Sequence, residues 1–146
     1  MQTINQAGLQ LIEDFEGLKL KVYKDPVSIP TVGYGHVVRI QDELKVGDTI
    51  TRERAEDFLK EDLTVAERAV RSAFGAGTLT DNQFSSLVSF GFNLGPENLR
   101  KLIKNGLQSV PQRLLLFNRA GGHELPGLVR RRKAERDLFL TPDAPK

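Results

Sequence analysis

Glu16, Asp25 and Thr31 stand in the order E-x8-D-x5-T within EGLKLKVYKDPVSIPTVGYGH, residues 16–36. Two carboxylates and a hydroxyl are enough to break a glycosidic bond. One carboxylic acid protonates the leaving oxygen, the second carboxylate helps a water attack, and a hydroxyl can hold that water. Each residue also has an ordinary explanation. A Glu at a helix end is usually a solvated surface group, an Asp before Pro is a common turn residue, and a Thr fits any strand. The three together, ahead of a Gly-rich hairpin, are harder to dismiss.

The elements that must position them can be read from periodicity. Leu11, Ile12 and Phe15 have helical spacing over residues 5–16, with Asn5 as N-cap and Gly17 as stop. Glu16 then sits at the negative end of a helix dipole, which disfavours a second negative charge and suits a group that must hold a proton. Residues 18–38 change character: Leu20, Val22 and Tyr23, then Asp-Pro and Ile-Pro, then Val-Gly-Tyr-Gly-His-Val-Val. That pattern predicts short antiparallel strands and turns. Residues 39–50 read as a loop with a turn at Gly47-Asp48.

Thr51 caps a predicted long helix to about Phe74, with Phe58, Leu59, Leu63, Ala66, Val70 and Phe74 as its apolar stripe. Thr80 and Gln83 form a capping box for a helix holding Phe84, Leu87, Val88 and Phe92, which stops near Gly95-Pro96. Shorter helices are expected around 98–105 and 110–119, the latter ending at Gly121-Gly122. A last helix runs from Pro126 or Gly127 to Leu140. The chain thus reads as α+β, one domain over 1–146. It has a small β-containing lobe at about 18–50 and a larger helical lobe at about 51–140 that includes the N-terminal helix.

Several other residues invite functional readings. His36 could act as a base, or hold the hairpin as a structural His. Gly33 and Gly35 lack the third Gly of a dinucleotide loop, because Val38 occupies that place and no helix follows. A hairpin whose backbone approaches a substrate is the better account. Phe92 and Asn93, in SFGFNLG, could be core and helix-end residues or a binding wall. The run Arg130, Arg131, Arg132, Lys133 reads as a solvated helix face.

Composition sets limits. The 146 residues are 39% hydrophobic and 27% charged, ordinary for a globular domain. No Cys is present, which removes disulfides, thiol nucleophiles and thiolate metal sites. His36 and His123 are the only imidazoles, so a metal-dependent mechanism is not expected. No apolar run approaches a membrane span, and the N-terminus does not read as a secretory signal. The net charge of +2 conceals an asymmetry. Residues 100–136 hold ten basic and two acidic side chains, a net of +8, whereas residues 1–99 hold ten basic and fifteen acidic, a net of −5. The basic third points to an anionic partner such as a wall polymer, an outer-membrane surface or nucleic acid.

The segment EGLKLKVYKD…PTVGYGH resembles the signature of the phage-type lysozymes, endolysins of glycoside hydrolase family 24. The likeness continues in DNQFSSLVSFGFNLG, RLLLFNRAGG and PGLVRRRKAERDLF, in the family's order and over nearly the whole chain. The resemblance implies a lysozyme-like fold, two lobes with a cleft between them. It also implies a muramidase that hydrolyses the β-1,4 bond between N-acetylmuramic acid and N-acetylglucosamine in peptidoglycan, without a cofactor. It makes Glu16 the general acid, Asp25 the second carboxylate and Thr31 the residue orienting the water. It makes Val37, Phe92, Asn93 and Phe117 substrate contacts, with His36 and Arg131 in support. Arg130 or Arg132 could take the place of Arg131. Inversion is the implied outcome, with carboxylates on the order of 6.5–9.5 Å apart. A monomer held in the host cytoplasm until a holin-type lesion releases it is also implied, with no specific nucleic-acid partner.

Two departures stand out: a short segment between Gly95 and Leu99, and Phe117 where many members carry Trp. The competing readings are a lytic transglycosylase acting on the same bond and a non-enzymatic cationic protein that binds or disrupts membranes.

Overall fold

The computed structural model describes residues 1–145. They form five α-helices, two short 3-10 turns and five short strands, the mostly helical α+β architecture that the sequence predicts. The chain divides into two compact units, Glu16–Thr64 and Met1–Phe15 with Val65 onward.

The first unit is built on a three-stranded antiparallel sheet in the order β1 (Lys19–Lys24), β2 (Pro30–Gly33), β3 (His36–Val37). Tyr23 pairs with Thr31, and Thr31 with Val37. β1 does not leave an open edge. Val22 N of β1 donates to Asp48 O, and Ile50 N donates to Leu20 O of β1, so the segment before helix α2 (Arg52–Ala73) covers it. Thr51 Oγ1 accepts from Arg54 N, the predicted cap. The first turns of α2 lie on the sheet. A Cβ on Gly33 would come within 3.2 Å of Ala55 Cβ, and Gly33 also has φ +70, so glycine is required twice over. Val22, Val32, Ala55, Phe58, Leu59 and Leu63 form this unit's core.

The second unit begins with α1 (Gln6–Glu16), of which residues up to Phe15 belong here. Asn5 Oδ1 accepts from Gly8 N, as its N-cap role requires. Gly8 has no room for a side chain, since a Cβ would meet Ser85 Cβ at 2.6 Å. Ser85 lies on α3 (Asp81–Ile103), whose predicted capping box of Thr80 and Gln83 is present. Asp143 accepts from Asp81 N and Asn82 N, giving this helix start a second cap from far along the chain. Ile12, Phe84, Leu87, Val88, Phe90, Leu99 and Leu102 are buried, each worth roughly 1.5–3 kcal/mol of transfer free energy.

The helix predicted to stop near Gly95-Pro96 does stop there: Gly95, at φ +88 and ψ +167, breaks α3 into two helical segments. Pro at the first position of a helical segment lets the second resume at once, slightly before the predicted start near 98. Two other expectations need correction. The helix expected over 110–119 is shorter: α4 is only Val110–Leu114. A two-strand hairpin follows, β4 (Arg119–Ala120) with β5 (His123–Glu124), around Gly121 and Gly122, both at positive φ. Two consecutive glycines with positive φ make a hairpin turn as readily as a helix stop. Finally, the run Arg130–Lys133 is a solvated face only in part, at Arg130 and Lys133. On α5 (Pro126–Leu140), Arg131 is 4% exposed and Arg132 fully buried.

Candidate active site

Asp25 opens the β1–β2 turn and organises it. Its Oδ1 accepts from Val27 N at 2.9 Å and from Ile29 N at 2.8 Å. The turn is tight enough to hold Ser28 at φ +66, an uncommon conformation for a residue with a side chain. Among the described residues Asp25 Oδ2 makes no hydrogen bond, so one carboxylate oxygen fixes the loop and the other remains for a ligand.

Thr31 is tied to the same loop. Its hydroxyl donates to Ile29 O at 2.9 Å, and Asp25 N donates to that same carbonyl at 3.0 Å. One backbone oxygen thus fastens both residues. Because the Thr31 proton is committed to Ile29, Oγ1 presents lone pairs. It can accept a hydrogen from a water while leaving that water's oxygen free to attack.

Glu16 ends α1, and Gly17 follows at φ +73. Its side chain lies over the β2–β3 turn: a Cβ on Gly35 would stand 3.2 Å from Glu16 Oε1. Gly35 therefore serves both its own positive φ of +78 and the approach of the carboxylate. All three predicted catalytic residues fall within the unit Glu16–Thr64.

Immediately beside Gly35 lies a buried ionic cluster that the sequence did not reveal. His36 is 2% exposed, stacked on Phe58 with ring centroids 3.9 Å apart. Its Nδ1 lies 2.7 Å from Asp62 Oδ2 and its Nε2 2.8 Å from Asp42 Oδ2. Arg39 adds contacts to Asp42 and to Glu61. Both ring nitrogens are occupied and the ring is enclosed, so His36 works here as a brace for the hairpin. Burial pushes Asp42 up, but hydrogen bonds from Arg39 and His36 outweigh it and hold the carboxyl at about 2. Burial raises Asp62, with His36 opposing. The spacing of Arg39 and Asp42, three residues apart around a 3-10 turn, was the only local clue.

The remaining predicted residues are placed as follows. Val37, on β3, is 54% exposed. In the other unit Phe92 and Asn93 are half-buried on α3, and Phe117 is half-buried with its ring edge-on to Phe90 at 5.1 Å. Arg131 contacts Glu135 and Ser89 at 3.4 Å and lies over Phe15 at 5.9 Å. Arg132, named from the sequence only as an alternative to Arg131, forms a buried network with Glu135 and Ser89 that reaches Asn93, and sequence reasoning missed those two partners. The Arg-x-x-Glu spacing, i to i+3, was a readable but weak signal. Among the described residues no cluster could hold a metal ion, and no helix is long and apolar enough to cross a membrane.

Comparison with known proteins adds independent information. A family model described as phage lysozyme matches residues 13–135. The endolysin of Salmonella phage P22 is 35% identical over 148 residues, covering 97% of this chain and 100% of that protein. The endolysin of Bacillus phage B103 is also 35% identical over 152 residues, but there the chain spans only 55% of the relative's length. Among solved structures, the muramidase domain of SpmX from Asticaccaulis excentricus matches with a TM-score of 0.83 and 34% identity, covering 97% of this chain and all of that one.

Proposed function

This chain belongs to the phage lysozyme family, hydrolases of bacterial peptidoglycan, and from that premise we propose how its residues divide the work. Glu16 protonates the glycosidic oxygen between N-acetylmuramic acid and N-acetylglucosamine. Asp25 Oδ2 and Thr31 Oγ1 hold a water that attacks the anomeric carbon from the opposite face, with inversion. The observation that carries this reading is the shared carbonyl of Ile29, which fixes Asp25 and Thr31 as one device. A carboxylate and a lone-pair-presenting hydroxyl on one loop suit a hydrolytic water. A transglycosylase, which closes a 1,6-anhydro ring without water, has no use for them. Val37, Phe92, Asn93 and Phe117 contact the glycan in this proposal, and release to the wall through a holin-type lesion belongs to it. Digestion of purified peptidoglycan, read by the chemistry of the new chain ends, is the experiment that tests it.

A second part of the proposal concerns residues 100–136. Arg131 and Arg132 are buried against Glu135, so they contribute little to a surface field, but Arg100, Lys101 and Lys104 are exposed. Those charges concentrate the enzyme on anionic walls without taking part in bond cleavage. Attraction of this kind is screened over about 8–10 Å at physiological salt. Activity on whole walls should fall as salt rises, while cleavage of a short neutral oligosaccharide should change little. Lys101→Glu with Lys104→Glu should mimic high salt. Undiminished digestion of walls by that variant at low salt would reduce the basic face to a solubility feature.

A further inference from the structure

Asn93 lies two residues before the break in α3, and its amide has a defined polarity. Oδ1 accepts from Arg132 Nη2 at 2.7 Å. A guanidinium has only donors, so the oxygen of the amide must face it. Nδ2 makes no hydrogen bond among the described residues.

Arg132 is itself immobilised. It is fully buried, its Nε is 2.8 Å from Glu135 Oε1, and its Nη2 donates to Glu135 Oε2 at 3.2 Å. The Nε contact is an ion pair too bent to be a hydrogen bond, and Nη1 is buried without a partner. Phe90 lies beneath the guanidinium at 4.9 Å. Glu135 is fully buried in turn; Oε2 accepts from Ser89 Oγ at 2.5 Å and its backbone oxygen from Ser86 Oγ at 2.7 Å. Burial raises the Glu135 carboxyl, and Arg132 and Arg131 oppose that. A buried pair with imperfect hydrogen bonding is a poor source of stability. What it does here is hold one oxygen of one half-buried amide.

We propose that Arg132, braced by Glu135, is a positioning residue that locks Asn93 with its N–H donors toward the glycan, making the site selective for acetamido carbonyls over free amines. This rests on the lysozyme reading and on Asn93 as a glycan contact. An N-acetyl group offers a carbonyl oxygen, which those donors can bind. A de-N-acetylated sugar offers an ammonium, which has donors only, and two facing sets of donors leave both unpaired. If Asn93 could flip, it would present its oxygen to the ammonium and the selectivity would vanish.

The test compares the parent, Asn93→Asp and the double variant Arg132→Met/Glu135→Leu on purified glycan strands, fully N-acetylated or partly de-N-acetylated. Asn93→Asp keeps the shape and the contact to Arg132 but replaces the donors with an acceptor. It should stay folded and lose about tenfold in kcat/KM on N-acetylated strands, through KM, as expected for one lost hydrogen bond. Its loss on de-N-acetylated strands should be smaller, so the preference shrinks or reverses. The double variant replaces the ion pair with apolar bulk. It should raise KM more than it lowers kcat and also lose the N-acetyl preference. If it does not fold, Arg132→Lys, which keeps the charge without the fork, should show the same KM effect. An unchanged KM and preference in Asn93→Asp overturns the proposal, as does an equal loss on both substrates, which would mean that the donors read a hydroxyl. Failure of the parent to cleave either strand would instead overturn the lysozyme reading.

Discussion

Glu16→Gln should lower wall-lytic activity by at least about a hundredfold while the protein remains folded. The amide keeps the size of the carboxylic acid and its ability to sit over Gly35, but it has no proton to transfer to the leaving oxygen. General acid catalysis typically supplies about 10²–10⁴ in rate. The side chain is half-buried at a helix end, and the amide can still accept and donate hydrogen bonds there, so the fold should persist. Urea unfolding of the variant alongside its turnover of peptidoglycan separates the two effects. A folded Glu16→Gln protein with near-parental turnover would remove Glu16 from the chemistry.

The second large effect is expected at Asp42. Its carboxylate is 4% exposed and receives His36, Arg39 N and the Arg39 guanidinium. Asp42→Ala leaves those donors facing a hole and should cost about 3 kcal/mol, the low end for breaking a buried ion pair because Arg39 can turn partly to water. The pH dependence follows from the direction of the shift. The folded carboxyl, at about 2, is depressed below its unfolded value near 3.9, so its stabilisation is present above about pH 4 and is lost as pH falls toward 2. Asp62 shifts the other way and does not add to that loss. Asp42→Asn should therefore flatten the fall in stability between pH 4 and pH 2, measured by thermal unfolding. If the parent and Asp42→Asn lose stability with the same slope over that window, the cluster is not what holds the hairpin in acid.

Local signals in the sequence were read correctly and longer-range ones were not, for a physical reason. Asn5, Thr51 and Thr80 with Gln83 act within one helical turn, so their capping is visible from neighbouring residues alone. The tie between Asp25 and Thr31, not foreseen from the sequence, is local as well, since both donate to a carbonyl that lies between them. Arg131 and Arg132 look the same in sequence whether they face water or core. Their burial depends on Ser89 and Asn93, some 40 residues away, and on a Glu135 that a solvated helix would carry equally well. For His36 the sequence left a base and a structural role open, and its partners Asp42 and Asp62 come from a 3-10 turn and from α2, which no single periodicity joins. Gly121-Gly122 shows the limit from another side: the same dipeptide ends a helix or turns a hairpin, and here it turns one.

The most direct test of the account is the structure of the ends produced when the protein digests purified peptidoglycan. If Asp25 and Thr31 deliver a water to the anomeric carbon, muropeptides should carry reducing N-acetylmuramic acid ends, 18 mass units above the anhydro form by simple addition of water, with the α anomer appearing first by NMR. The Glu16→Gln protein should release almost none. Muropeptides ending mainly in 1,6-anhydro-N-acetylmuramic acid would contradict the account, because no positioned water would have taken part.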